Sequence, residues 1–157
     1  MIADLGLGSN LGDRLAHLQS GVDGLSAAGC TIVAVSGVYE TAPVGGPQQG
    51  AYLNAVVRVG TDRDPWALLA LAQDLEAAAG RVRGERWGPR TLDVDLLRCE
   101  GFESDDPALT LPHPRAHERA FVLVPLADVD PALDLPAGLD TSGVDPRPDL
   151  SLHVHKW

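Results

Sequence analysis

Residues 31–59 read TIVAVSGVYETAPVGGPQQGAYLNAVVRV. The ends of this stretch, 31–38 and 51–59, are rich in Val and Ile and read as strands. Between them, 39–50 holds Pro43, Gly45, Gly46, Pro47 and Gly50, which break helix and strand alike, so a long irregular loop is expected there. Two consecutive strands with no helix between them decide the fold class. A doubly wound parallel sheet needs a helical crossover after every strand.

Residues 2–7 read as another strand. Residues 12–27 read as a helix, with Leu15, Leu18, Val22 and Leu25 at helical spacing. Downstream, Asp64 suits an N-cap, Pro65 the first helical position and Gly80 the stop. The helix between them places Leu68, Leu71, Leu75 and Ala79 on one face, and Gln73 and Glu76 to another side. Residues 91–97, TLDVDLL, alternate and read as a fourth strand. A helix start is expected near Pro114, before the apolar run FVLVPLADV. The order is strand, helix, strand, strand, helix, strand. It predicts an α+β fold of ferredoxin-like βαββαβ type, mainly antiparallel with helices packed on the sheet. The 157 residues are expected to form a single domain, with an irregular tail from about residue 137, where Gly, Pro, Asp and Ser take over.

Lys156 is the only lysine, and the net charge is −10. Such a chain is not expected to bind nucleic acid or an anionic membrane broadly. Neither a membrane-spanning run nor a signal peptide is visible, so the expectation is cytoplasmic. Cys30 and Cys99 have no metal spacing and are expected to be ordinary semi-buried thiols.

Charge is concentrated in one place. Arg81, Arg83, Arg86 and Arg90 crowd a short loop before the fourth strand. Arginine pairs with phosphate oxygens through its planar fork. In that strand Leu92, Val94 and Leu96 share one face, and Asp93 and Asp95 share the other, with Cα atoms about 6–7 Å apart. Two such carboxylates repel by about 2–3 kcal/mol at an effective dielectric near 20, and a divalent cation reverses that sign. Magnesium is commonly held by one or two carboxylates plus substrate phosphates. Acid pair and arginine loop together point to phosphoryl-group transfer.

Trp87, Tyr52 and Phe121 are among the few aromatics and lie beside loops, where they could stack on a flat heteroaromatic ring. Asn54 shares a strand face with Tyr52 and can read ring donors and acceptors. His113 and His117 are spaced i, i+4, but no third zinc ligand is evident. A hydrogen-bonding or phosphate-contacting role suits His113 better. Near the N-terminus GLGSNLG (6–12) resembles a dinucleotide fingerprint only loosely. Its spacing is GxGxxxG, and no acidic residue follows at the required strand end. Gly6 and Gly8 are expected to permit close backbone packing, with Ser9 or Asn10 capping the first helix.

With these residues in hand, the chain resembles the 6-hydroxymethyl-7,8-dihydropterin pyrophosphokinase family of folate biosynthesis. The resemblance rests on GSNLGDR (8–14), YETAPVGGPQQGAYLNAVV (39–57), GRVRGERWGPRTLDVDL (80–96) and LTLPHPRAHERAFVLVPL (109–126). It implies transfer of pyrophosphate from ATP to the pterin hydroxymethyl group, with release of AMP. It further implies that Asp93 and Asp95 hold two Mg²⁺ ions with ATP, and that Arg81 and Arg90 stabilise the transferring group. Gln73, Glu76, Arg83, Thr110, His113 and Arg119 would bind ATP. Thr41, Pro43, Val44, Tyr52, Asn54, Trp87 and Phe121 would line the pterin slot, with the ring between Trp87 and Phe121. A monomer is the expectation. Asp4 departs from the family's apolar or aromatic residue in the first strand, and Ala108 stands where some members carry an ATP-contacting arginine. Two other readings compete. A palm-type nucleotidyl transferase would suit a ferredoxin-like sheet with paired Asp. An RNA-binding sheet would need the basic surface and strand aromatics this chain lacks.

Overall fold

A computed structural model describes residues 1–42, 50–80 and 91–154, and for His117 the backbone only. The elements run β1 (Ile2–Ser9), α1 (Arg14–Ala27), β2 (Thr31–Val35), β3 (Tyr39–Thr41), β4 (Tyr52–Gly60), α2 (Pro65–Ala78), β5 (Asp93–Cys99), β6 (Ser104–Asp106), β7 (Leu109–Leu111), α3 (Ala120–Val129) and β8 (Val144–Pro146). A 3₁₀ turn covers Ala116–Glu118.

The main sheet runs β5-β1-β4-β3-β8, with β2 pairing the far end of β4. All its ladders are antiparallel. This is the ferredoxin-like α+β order expected from the sequence. β2 and β3 together form one interrupted strand along β4. The break at Ser36–Val38 is bridged by Ser36, whose backbone donates to Val56 O at 2.9 Å and whose hydroxyl accepts from Val56 N at 2.8 Å.

Two expectations need correction. The segment 39–50 is not loop throughout, because Tyr39–Thr41 pairs with Tyr52–Asn54 as β3. Nor is the tail irregular throughout, because β8 adds itself to the outer edge of β3. Short polar strands of this kind lack hydrophobic alternation and form only where a waiting edge supplies the hydrogen bonds.

α1 and α2 cover one face of the sheet. α1 buries Leu18, Gly21, Val22 and Leu25. A Cβ on Gly24 would run into Leu75 Cδ2, so this glycine sets how closely α1 approaches α2. Asp13, not Ser9 or Asn10, caps α1, accepting from Ala16 N at 3.1 Å. α2 starts as the sequence indicated, with the Asp64 side chain accepting from Ala67 N at 2.8 Å. Its most buried line is Pro65, Leu68, Ala72 and Glu76, and the expected Leu71, Leu75 and Ala79 pack, partly buried, against the same core as Leu68. The sheet edge offers Glu76 a backbone donor, which overrides the simple apolar pattern. Cys30 and Cys99 are free and buried. No helix among the described residues is long and apolar enough to cross a membrane.

α3 lies on the opposite face, where Leu123, Leu126 and Val129 pack on Val56 and Leu97. It covers only part of that face. A β-bulge in β5 makes this possible: Leu5 pairs with Leu96 and Asp4 with Arg98, so Leu97 is the extra residue. Leu96 enters the core under α1 and α2 while Leu97 enters the cluster under α3. Regular alternation would also have sent Arg98 into the first core with Leu96. The bulge re-aims it to the other face.

There Arg98 meets Asp4. The side chain of Asp4 is 3% exposed, and its carboxylate accepts from Arg58 Nε at 2.8 Å, Arg58 Nη2 at 3.1 Å and Arg98 Nε at 2.8 Å. Arg98 Nη2 continues to Asp130, just past the end of α3. Burial works against the Arg98 charge, but the hydrogen bonds to Asp130 and Asp4 outweigh it and raise its pKa. The departure at Asp4 thus has a local solution: two arginines neutralise it and tie β1, β4, β5 and α3 together. Asp4→Ala should lower the unfolding free energy by about 2–3 kcal/mol. That is less than the roughly 3–5 kcal/mol of a fully buried pair, because both arginines reach water. Urea denaturation at neutral pH measures it.

Candidate active site

The half of the sheet face that α3 leaves open carries the residues singled out from the sequence. Strand register fixes their arrangement. Gly8 on β1 lies between Asp93 on β5 and Asn54 on β4, and Gly6 lies between Asp95 and Val56. Adjacent strands are about 4.8 Å apart, so the backbones of Asp93 and Asn54 stand about 10 Å apart with a glycine between them. A Cβ on Gly8 would sit 3.3 Å from Asn54 Oδ1 and 3.7 Å from Tyr52 Cδ1. The expected role of Gly8 in close packing is therefore seen, and its partners are Tyr52 and Asn54.

On the β4 side, Asn54 is buried and donates from Nδ2 to Thr41 Oγ1 at 2.8 Å. Having accepted that bond, the Thr41 hydroxyl still has a proton to give. Thr41 is buried at the end of β3, and Tyr52 is half-buried beside it. Three of the expected pterin-slot residues thus come together on adjacent strands.

On the β5 side, Asp93 is half-buried and Asp95 exposed, while Val94 and Leu96 point into the core. The alternation read from the sequence holds as far as Leu96. Glu76 is buried and its Oε2 accepts from Val94 N at 2.9 Å. It clamps the backbone between the two aspartates, a role not legible from helical spacing. Gln73 stands exposed on α2, one turn earlier.

The third side is built by the chain after β7. The carbonyl of bulged Leu97 accepts from His113 N at 2.8 Å, which holds His113 against β5. Nδ1 of His113 accepts from Arg115 N at 3.3 Å. Burial pushes the His113 pKa below its ordinary value. The Asp95 charge works in the opposite direction, while Arg119 and Arg115 lower it further. Those couplings bring Asp95, His113 and Arg119 into one neighbourhood. Arg119, the residue before α3, lies over the Phe121 ring at 5.6 Å from its centroid. Burial, and then Arg115, lower the Arg119 pKa. Thr110 on β7 donates from Oγ1 to Asp106 O at 2.9 Å, and the neighbouring Ala108 N donates to Asp106 Oδ1 at 2.9 Å. Pro43, Val44, Arg81, Arg83, Trp87 and Arg90 lie outside the described residues.

Among the described residues no group of three or more His, Cys, Asp or Glu side chains is arranged to hold a metal. Asp93 and Asp95 share a face, but one oxygen from each supplies only two ligands of an octahedral shell. This donor set fits a magnesium ion that arrives with phosphate oxygens and water, and not one caged by protein alone.

A model of the family 7,8-dihydro-6-hydroxymethylpterin-pyrophosphokinase (HPPK) matches residues 4–131. The chain belongs to this family. It is 46% identical over 152 residues to a 2-amino-4-hydroxy-6-hydroxymethyldihydropteridine pyrophosphokinase of Methylorubrum extorquens, covering 91% of this chain and 96% of that one. It is 53% identical to the pyrophosphokinase of the same name from Mycobacterium leprae, over 83% of this chain and 73% of that one. Among solved structures, Plasmodium falciparum HPPK-DHPS with pteroate aligns at a TM-score of 0.62 and 13% identity. That alignment covers 81% of this chain and 40% of the other, a likeness of fold. HPPK membership displaces both the nucleotidyl transferase and the RNA-binding readings.

The geometry generates a test that needs no substrate. In metal-free protein His113 should titrate below about 6.5, the unperturbed value. Asp95→Asn should lower its midpoint further, because Asp95 favours the imidazolium. The contribution of His113 to stability is complete above about 6.5 and is lost as pH falls through the depressed folded-state value. NMR titration of the imidazole protons reads both effects.

Proposed function

We propose how the residues divide the work of a family whose reaction transfers pyrophosphate from ATP to the hydroxymethyl group of 6-hydroxymethyl-7,8-dihydropterin, releasing AMP, in folate biosynthesis. The chain is an ATP-dependent diphosphokinase of this kind. The observation that carries the assignment of roles is the cross-strand row Asp93–Gly8–Asn54. It sets an acidic side and an amide side on the two strands that flank β1, with backbones about 10 Å apart.

On the amide side, Asn54 and Thr41 would read the polar edge of the pterin, with Tyr52 beside them. Phe121 would supply one stacking face and Trp87 the other, and Pro43 and Val44 would close the slot. On the acidic side, Asp93 and Asp95 would hold two Mg²⁺ ions. Bound magnesium supplies neutralisation and orientation of the triphosphate oxygens. Glu76 would keep the backbone of the acidic strand fixed by its bond to Val94 N. His113 and Arg119, with Gln73, Arg83 and Thr110, would receive the nucleotide. Arg81 and Arg90 would face the transferring group, where arginine stabilises charge that develops in the transition state. His113, whose pKa burial lowers, would act as a hydrogen-bonding group. We place the protein in the cytoplasm as a monomer, acting on small molecules and not on nucleic acid or membrane.

Incubation with ATP, Mg²⁺ and 6-hydroxymethyl-7,8-dihydropterin should yield AMP, resolved by chromatography. ADP or free pyrophosphate as the nucleotide-derived product would overturn the reading. Asp95→Ala should reduce turnover by at least about a hundredfold, the scale of a lost electrostatic group. Its unfolding midpoint should change little, because Asp95 is exposed. Wild-type turnover at ordinary Mg²⁺ would remove the aspartate from the metal site.

A further inference from the structure

The matched family region ends at residue 131, yet the chain beyond it returns to the site. β8 pairs along β3, placing Val144 opposite Thr41, Asp145 opposite Glu40 and Pro146 opposite Tyr39. Arg147 N then donates to Val38 O at 2.8 Å. Leu150 and Leu152 pack against the main core. At His153 the backbone N–H and C=O are both taken by the Gln19 side chain of α1, each at 2.8 Å. The segment is therefore fastened at both ends, to the outer edge of β3 and to α1.

Its charged link falls beside the pterin side. Glu40 precedes Thr41 and is held from two directions. Its Oε2 accepts from Arg14 Nη1 at 2.6 Å, and its Oε1 lies 3.4 Å from Arg147 Nη1. Arg14 also donates to Ala51 O at 2.9 Å, so it ties Glu40 to the start of β4. Arg147 is oriented in turn by Asp149, at 3.0 and 2.8 Å. The route runs from the tail through Arg147, Glu40 and the β3 backbone to Thr41, whose hydroxyl accepts the Asn54 amide.

We propose that residues 144–153 form a positioning strap for the pterin side of the site, acting through the Arg147–Glu40 link to fix β3 and hence the Thr41–Asn54 pair. The proposal rests on the pyrophosphokinase reading for its kinetic consequence. Its mechanical part does not. β3 is three residues long, too short to be stable on one ladder alone. The strap gives it a second ladder and a charged clamp. Arg147 acts through Glu40 and is a positioning residue.

The test is Arg147→Gln in the full chain. Hydrogen exchange of the Glu40 and Thr41 amides should accelerate while the global unfolding midpoint stays within error. The KM for the pterin should rise about threefold to fivefold, the scale of a partly exposed ion pair. The KM for ATP and kcat should stay within about twofold, because the acidic side lies on another strand. Arg147→Lys, which keeps the charge, should recover most of the loss. Unchanged exchange in β3, or parallel changes in both KM values and kcat, would overturn the strap. If wild type forms no AMP, the functional reading fails, and the exchange measurement alone still decides whether the segment holds β3.

Discussion

The two antiparallel ladders of β1, one to β4 and one to β5, are the constraint on which the rest depends. They place Asp93 and Asp95 on one flank of the strand and Tyr52 and Asn54 on the other. A one-residue slip in either ladder would turn one set into the core. The burial of Leu5 and Leu7 beneath α1 and α2 resists such a slip, because both would be driven to the open face. The register of the site is therefore held by hydrophobic burial on the opposite side of the same strand. Gly6 and Gly8 complete the arrangement by leaving room over β1 for the side chains of Leu97 and of Tyr52 and Asn54.

The bulge at Leu97 solves a second problem. One strand must feed the α1–α2 core, the α3 core and a charged cluster within four residues. Regular alternation cannot do this, but one extra residue can. Leu96 and Leu97 enter different cores, Arg98 turns to Asp4, and the freed Leu97 carbonyl takes the His113 amide. The same irregularity thus anchors α3 through Arg98 and Asp130 and brings His113 beside the acidic strand. Charge compensation at Asp4 and placement of His113 are linked through this one bulge.

Much of this was legible in the chain itself. The caps of α2, the alternation of TLDVDL and the absence of a helix between the strands at 31–59 are local signals, and each survives folding. Others were not visible. Glu76 reads as a surface residue until β5 offers it a backbone donor. β3 and β8 carry no apolar alternation, so their strand character comes only from pairing with a partner. Asp4 reads as an anomaly until Arg58 and Arg98, each more than fifty residues away in sequence, converge on it.

Sequence alone determined the elements whose signals are short-range: helix starts at capping residues and strand faces by period-two alternation. Tertiary structure decided what depends on distant partners. It chose which edge accepts the C-terminal segment, where β5 takes its extra residue, and which polar groups are neutralised on burial. The physical reason is the same in each case. A buried backbone donor, acceptor or charge must be satisfied, and the partner that satisfies it is set by proximity in space, which spacing along the chain does not encode.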